Sequence, residues 1–401
     1  MSARPAILLW LLAGCGTAES ASLAHARTDT LPGGIIQVQN DAPIAWTDST
    51  SELVEEIRFS GQDGTPSELG APRSMAVDGE GRIYVVDDKP AAVKVFAPDG
   101  KLVRTIGRDG EGPGEFRVGF IAVRGAHLVL HDPRVARTSV FDTSGTFLRG
   151  WHSSCCYWAD IQVDRQDRIY VPSMVAVRPG QKVGGSTAYV RWSLEGVALD
   201  TLWVPQRDPG KTWTVELKRG GKSVMMMSTG VPFLPSMQLA LHPDSGFVYG
   251  WNGDYRIVRS TTGSDSVRLF GRNWTPDPIS DARRKAEVES RVKQSAESYG
   301  EANVRAAFRL EDLPTSLPAF MSLRADAAGR IWVRRYPVAD TTRSSFDVFD
   351  STGAYLGPVA LPFKLHEWGL QAWTRDGLVT IIEDDEGRPT VVRLRFTSKN
   401  P

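Results

Sequence analysis

A repeated four-part segment limits what this 401-residue chain can fold into more than any other feature. Its clearest copy, Ala71 to Phe116, reads A-P-R-S-M-A-V-D-G-E-G-R-I-Y-V-V-D-D, then A-V-K-V-F-A-P-D-G-K-L-V-R-T-I-G, then G-E-G-P-G-E-F. Short runs rich in Val, Ile, Tyr and Phe, separated by Asp-Gly turns, predict strands at Ser74 to Val77, Arg82 to Val86, Val93 to Phe96 and Leu102 to Ile106. Consecutive strands joined by tight turns make an antiparallel meander.

The second strand recurs at Leu128 to Leu130, Arg168 to Val171, Phe247 to Tyr249, Arg330 to Val333 and Leu378 to Ile382, which makes six copies. Third and fourth strands recur at Val140 to Arg149, Val190 to Leu202 and Val348 to Gly357. The fourth copy is more divergent, with Tyr255 to Val258 and Ser266 to Phe270 as its outer strands. The last copy is one strand short, because Thr390 to Phe396 is followed by five residues. Leu53 to Ser60, followed by G-Q-D-G-T-P-S-E-L, parallels Leu102 to Ile106, followed by G-R-D-G-E-G-P-G-E-F. The N-terminal strand therefore completes the last unit, and a repeat array closed from both chain ends leaves no open interface. The expected fold is all-β, a six-bladed β-propeller closed by an N-terminal strand. A helical insertion is predicted between blades 4 and 5, at about residues 275–318, from Ser280 as a helix cap and Val288, Val292, Ala296 and Tyr299 at helical spacing. That helix is read as a brace over blades 4 and 5, or as a lid.

The motifs A-V-D-x-x-G-R-I-Y-V-x-D and V-F-x-x-D-G-x-L-x-x-x-I-G of the first unit resemble the NHL repeat. From Leu53 to Phe396 the chain resembles bacterial six-bladed propeller lipoproteins. The resemblance implies a fold, not an activity.

Arg4, the apolar stretch Ala6 to Leu12 and the small residues Ala13 and Gly14 before Cys15 read as an export signal too short to span a bilayer. Leu12-Ala13-Gly14-Cys15 resembles the bacterial lipobox, which implies lipidation of Cys15 as the mature N-terminus. Gly16 in place of Asp implies the outer membrane. The expected organisation is a signal peptide and lipobox at 1–15, a flexible tether at 16–50 poor in apolar periodicity, and the propeller at 51–398. Lysine plus arginine equal aspartate plus glutamate at 47 each, so no net field draws nucleic acid or an anionic membrane surface. A monomer is expected, held to the membrane by its lipid.

Strand alternation places the loops after second and fourth strands on one face. Every long segment belongs to that class: Trp151 to Trp158, Pro172 to Ala188, Pro205 to Met237 and Asn273 to Ala319. At or near the inner-strand starts on this face stand Arg73, Arg117, His152, Trp158, Asp160, Gln238, Ser322 and Trp368, the candidate ligand contacts. Cys155 and Cys156, the two cysteines besides Cys15, either form a vicinal disulfide in an oxidising compartment or stay reduced as packing residues. The pair resembles the vicinal disulfide of quinoprotein propellers, but those have eight blades, so no quinone is inferred.

Catalytic motifs are scarce. Propellers resembling gluconolactonases hold a metal with Glu, Asn and Asp near inner-strand starts, where this chain offers Asp160. His131, His152 and His366 reach the loop face from separate loops without ligand spacing. The run Glu383-Asp384-Asp385-Glu386 reads as a solvated turn or a cation attractor. No metal site and no cofactor are expected, with calcium kept open. The favoured function is a cell-envelope binding or scaffolding protein that captures an envelope protein or a small molecule. A metal-dependent hydrolase, lyase or oxidoreductase working in the central channel is the alternative.

Overall fold

The computed structural model describes residues 26–44, 51–153, 161–175, 186–205, 207, 210–219, 222–262, 265–337, 343–365 and 370–398. Five four-stranded meanders succeed one another along the chain. Blade 1 is Pro72–Val77, Ile83–Asp88, Ala91–Phe96 and Leu102–Ile106. Blade 2 is Phe120–Arg124, His127–Asp132, Arg137–Asp142 and Phe147–His152. Blade 3 is Gln162–Val163, Ile169–Val175, Ser186–Trp192 and Ala198–Trp203. Blade 4 is Met237–Leu241, Phe247–Trp251, Arg256–Ser260 and Arg268–Arg272. Blade 5 is Ser322–Ala325, Ile331–Arg334, Ser345–Phe349 and Tyr355–Ala360.

Blade 6 takes three strands from the C-terminus, Gln371–Trp373, Gly377–Glu383 and Pro389–Ser398, and its outer strand from Ser51–Ser60. The two chain ends pair antiparallel from Ser51 opposite Ser398 to Ser60 opposite Thr390. Leu53 is buried there with Trp332, Val392 and Leu394. The inner strand of blade 6 also lies beside that of blade 1, which shuts the ring.

Local chemistry explains why the repeat is spelled as it is. In the first turns of blades 1, 3 and 5, Asp78, Asp164 and Asp326 accept backbone N–H bonds from residues two and four positions on, and a bond from the guanidinium at the fourth. Their second oxygen also accepts from Tyr84, Tyr170 or the indole of Trp332, so one carboxylate ties the turn to the core. The glycine of the turn between third and fourth strands has a tertiary reason. A Cβ at Gly100, Gly145, Gly196 or Gly353 would stand 2.7, 3.1, 2.7 or 2.8 Å from Phe59, Ile106, Trp151 or Phe270 respectively. Each of those four belongs to the outer strand of the preceding blade, and all four glycines have positive φ, so the turn both bends the chain and lets neighbouring blades close up.

One expectation is corrected. Residues 16–50 were expected as tether, yet Ala26–Leu31 and Ile35–Asn40 form a hairpin, and its second strand pairs parallel to Arg268–Arg272. Blade 4 thereby becomes a six-stranded sheet. Gly33 and Gly34, both at positive φ, make its turn. Asn40 is buried at its end: its amide nitrogen donates to the carbonyls of Gly271 (2.8 Å) and Gly353 (3.0 Å), and its oxygen accepts from Tyr355 N–H (2.8 Å). Val38 joins the core between blades 4 and 5.

Candidate functional site

Two insertions meet over blades 4 and 5. Between blades 3 and 4, where the sequence predicts a long loop, the chain forms a hairpin, Thr212–Arg219 with Lys222–Gly230. Between blades 4 and 5 it forms helices α1, Asp281–Tyr299, and α2, Glu301–Ala307. Ser280 caps α1 by accepting from Arg283 N–H at 3.2 Å. The apolar stripe of α1 faces the hairpin, not the blades: Val288 and Val292 pack with Val304, Phe308, Trp213 and Val215. Trp213 stacks on Phe308 at 4.6 Å, and its indole N–H donates to Asp312 at 2.9 Å. The cap is tied to blade 5 by Arg283, which donates to the carbonyl of Pro337 at 2.7 Å.

At the roots of the insertion lies a cavity of about 410 Å³, lined by Arg272, Asn273, Trp274, Asp277, Arg335 and Tyr336 among others. Arg272 ends the outer strand of blade 4. Its guanidinium pairs with fully buried Asp347 at 2.9 Å and lies over the rings of Tyr255 (4.8 Å) and Tyr355 (5.8 Å). Asp347 also accepts from both phenols at 2.7 Å. Burial, reinforced by the Asp347 charge, pushes both phenols above their ordinary pKa. Burial works against the charge on Arg272, and Asp347 more than offsets it, so this guanidinium stays protonated and fixed. Arg335, on the second strand's exit from blade 5, makes no side-chain hydrogen bond or ion pair among the described residues. One rigid and one unengaged guanidinium thus face a hollow with Trp274 and Tyr336 in its wall, an arrangement suited to a small anion with a planar part. A second cavity of about 450 Å³ shares Arg272 and Asn273 and exists because the N-terminal hairpin supplies Arg27, Gln37, Gln39 and Asp41.

The candidates read from sequence fall elsewhere. Arg73 pairs with Asp88, whose carboxyl is raised by burial and has one oxygen buried without a partner. Arg117 donates to Asp109 at 3.1 Å, and its backbone N–H donates to Asp132 at 2.6 Å. Gln238 donates to Ser236 at 2.8 Å, Ser322 opens the inner strand of blade 5 opposite Arg334, and His152 is exposed opposite Arg137. Cys15, Cys155, Cys156, Trp158, Asp160 and Trp368 lie outside the described residues, as does His366. His131 is not on the surface as read. It is fully buried, bonded to Thr138 (3.1 Å) and Ser153 (3.3 Å), and desolvation lowers its pKa to about 4. In the acidic run, Asp384 braces a turn by accepting from Glu386 and Arg388 N–H. Among the described residues no three His, Cys, Asp or Glu side chains converge to hold a metal, and no helix is long and apolar enough to cross a membrane.

Residues 67–118, which contain blade 1, match a family model described as a 6-bladed beta-propeller. The chain is a six-bladed β-propeller. No curated protein matches the sequence. Among solved structures, an exported protein from Bacteroides fragilis is similar at 13% identity, with 90% of this chain and 99% of that one covered and a TM-score of 0.48. A member of the DUF4221 family from Bacteroides vulgatus is similar at 10% identity, with 88% and 100% covered and a TM-score of 0.49. Virginiamycin B lyase from Staphylococcus aureus is similar at 9% identity, with 86% and 99% covered and a TM-score of 0.41. At such identities nothing of a neighbour's activity passes to this chain.

The residues that sequence reading missed left a partial signal. Gly33-Gly34 before the alternating Ile35 to Gln39 is a hairpin signature. Arg272 and Arg335 carried none, because only the folding of the insertion brings two such distant positions to one cavity.

Proposed function

We propose that this propeller is an exported, lipid-anchored envelope protein that binds a small organic anion on its loop face, seated between Arg272 and Arg335. The observation that carries the reading is the pairing of a guanidinium immobilised by Asp347 with one that has no side-chain hydrogen bond or ion pair among the described residues, in a walled hollow of ligand size. A fixed cation costs little ordering on binding, and a free one supplies the pairing the ligand completes. The anchor reading rests on the Leu12 to Cys15 pattern.

Calorimetric titration of the purified protein with small mono- and dicarboxylates, aromatic ones included, tests it. Binding is expected for at least one, weakened about tenfold or more by Arg335→Ala, the loss of one charge-assisted pair. A ligand bound equally well by Arg335→Ala removes the cavity from the proposal. A stoichiometric calcium or zinc that survives dialysis turns the reading to a metal-dependent enzyme.

A further inference from the structure

The hairpin Thr212–Arg219 with Lys222–Gly230 changes character along its length. Near its base, Trp213 and Val215 are buried beneath α1 and α2. Beyond that cover the apolar side chains continue into solvent: Val224 is 55% exposed, Met225 45% and Met226 66%. Met225 and Met226 are successive strand residues and point to opposite faces, and Val224 stands beside them at a β-bulge. The part of the hairpin that holds these residues, Thr214 to Ser228, contains Lys218, Arg219 and Lys222 against one acidic residue, Glu216, which stands opposite Met226. The closed end of the hairpin is therefore both apolar on two faces and basic.

The path of the N-terminus gives this surface a partner. The outer strand of blade 4 runs towards the loop face, Ile35–Asn40 runs parallel to it, and Ala26 stands opposite Asn40. Ala26 thus enters the fold on the loop face, the face from which the hairpin also departs. Only residues 16–25 separate it from Cys15, a reach of at most about 35 Å. A membrane holding Cys15 lies on the side of the loop face.

From these observations we infer that the closed end of the hairpin docks on an anionic lipid surface, Val224, Met225 and Met226 entering the headgroup boundary with Lys222 against lipid phosphates. This orientation rests on the anchor reading above, whereas docking itself depends on the hairpin. The lipid on Cys15 accounts for residence at the membrane, and a second contact of this kind fixes the direction the propeller faces.

Methionine oxidation separates the possibilities. The full chain, recovered from membranes in detergent, is reconstituted in vesicles of phosphatidylcholine with roughly 30% phosphatidylglycerol and in phosphatidylcholine alone. Dilute peroxide is added and oxidation is followed by mass spectrometry. Oxidation of Met225 and Met226 is expected to slow about fivefold or more on the anionic vesicles relative to detergent, with Lys222→Glu restoring the fast rate. Equal rates in all three media overturn the proposal. So does protection that needs no lipid and grows with protein concentration, which would make a second copy the occupant. The N-terminal peptide in the same digest reports Cys15. An unacylated chain with protected methionines rejects the anchor and keeps the docking element, and an acylated chain with unprotected ones does the reverse.

Discussion

Blades 1 and 4 share a topology and are held together by different means. In blade 1 the bonds are local: Asp78 secures the first turn, while buried Asp87 accepts from Gly70 and Ala71 N–H (2.8 and 2.7 Å) and pairs with Lys94 at 2.9 Å. In blade 4 His242 stands where Asp78 does and accepts one N–H bond, from Asp244 at 3.2 Å. The turn after its third strand is held by Asp265, which accepts from Thr261 and Thr262 N–H at 2.9 Å, and further support comes from neighbours. Gly246 N–H donates to Tyr170 of blade 3 at 3.0 Å, Asn252 bridges Ser236 and Phe320, and Asn40 fastens the added hairpin to blades 4 and 5. A blade that lacks the carboxylate of its first turn can recruit outside elements, and both cavities stand where it did so.

The largest expected effect breaks ring closure. Deleting residues 51–60 leaves blade 6 without its outer strand, and no cooperative thermal transition should remain by circular dichroism. Deleting residues 26–44 should leave a folded ring with a lower melting temperature, because that hairpin covers blade 4 without completing a blade. If both deletions behave alike, the two N-terminal elements are not different in kind. Next comes Asp87→Ala in blade 1, which leaves the Lys94 ammonium buried without its carboxylate and should cost about 4 kcal/mol in urea unfolding.

Acid should then weaken the fold through His131 and His242, each buried and lowered to about 4, chiefly by desolvation. The unfolded chain takes up these protons below about pH 6.5 and the native state does not, so stability present at pH 7 falls as pH drops towards 4, by about 3 kcal/mol per histidine at most. His242→Asn, which keeps an acceptor but removes the titration, should flatten part of that loss. Asn40→Ala should cost about 2 kcal/mol, since it strands buried partners on two blades. A cost near zero would mean that blade 4 does not lean on the hairpin.

How much was legible follows the same division. Blade 1, its strands to within two residues and its turns could be read directly, because Asp78, Arg82 and Gly100 sit at fixed local offsets that backbone geometry demands. The pairing of Leu53 to Ser60 with Thr390 to Phe396 was legible despite its separation, since a repeat array with one strand missing has one place for the spare. Blade 4's hairpin was not, because its composition suits a tether and its apolar contact is mainly Val38 and Ile36, too few to stand out. Nor could Arg272 and Arg335 be chosen from among many arginines.

By itself, then, the sequence determined six meanders and the closing strand. Those follow from period-two alternation and turn chemistry, which act over a few residues, and from counting strands. Tertiary structure alone decided that α1 packs on a hairpin and not on the blades, that Ala26 enters on the loop face, and that Asp347 fixes one arginine while another stays unengaged. Those outcomes depend on which side chains fill the space between distant segments, and neither spacing nor composition encodes that choice.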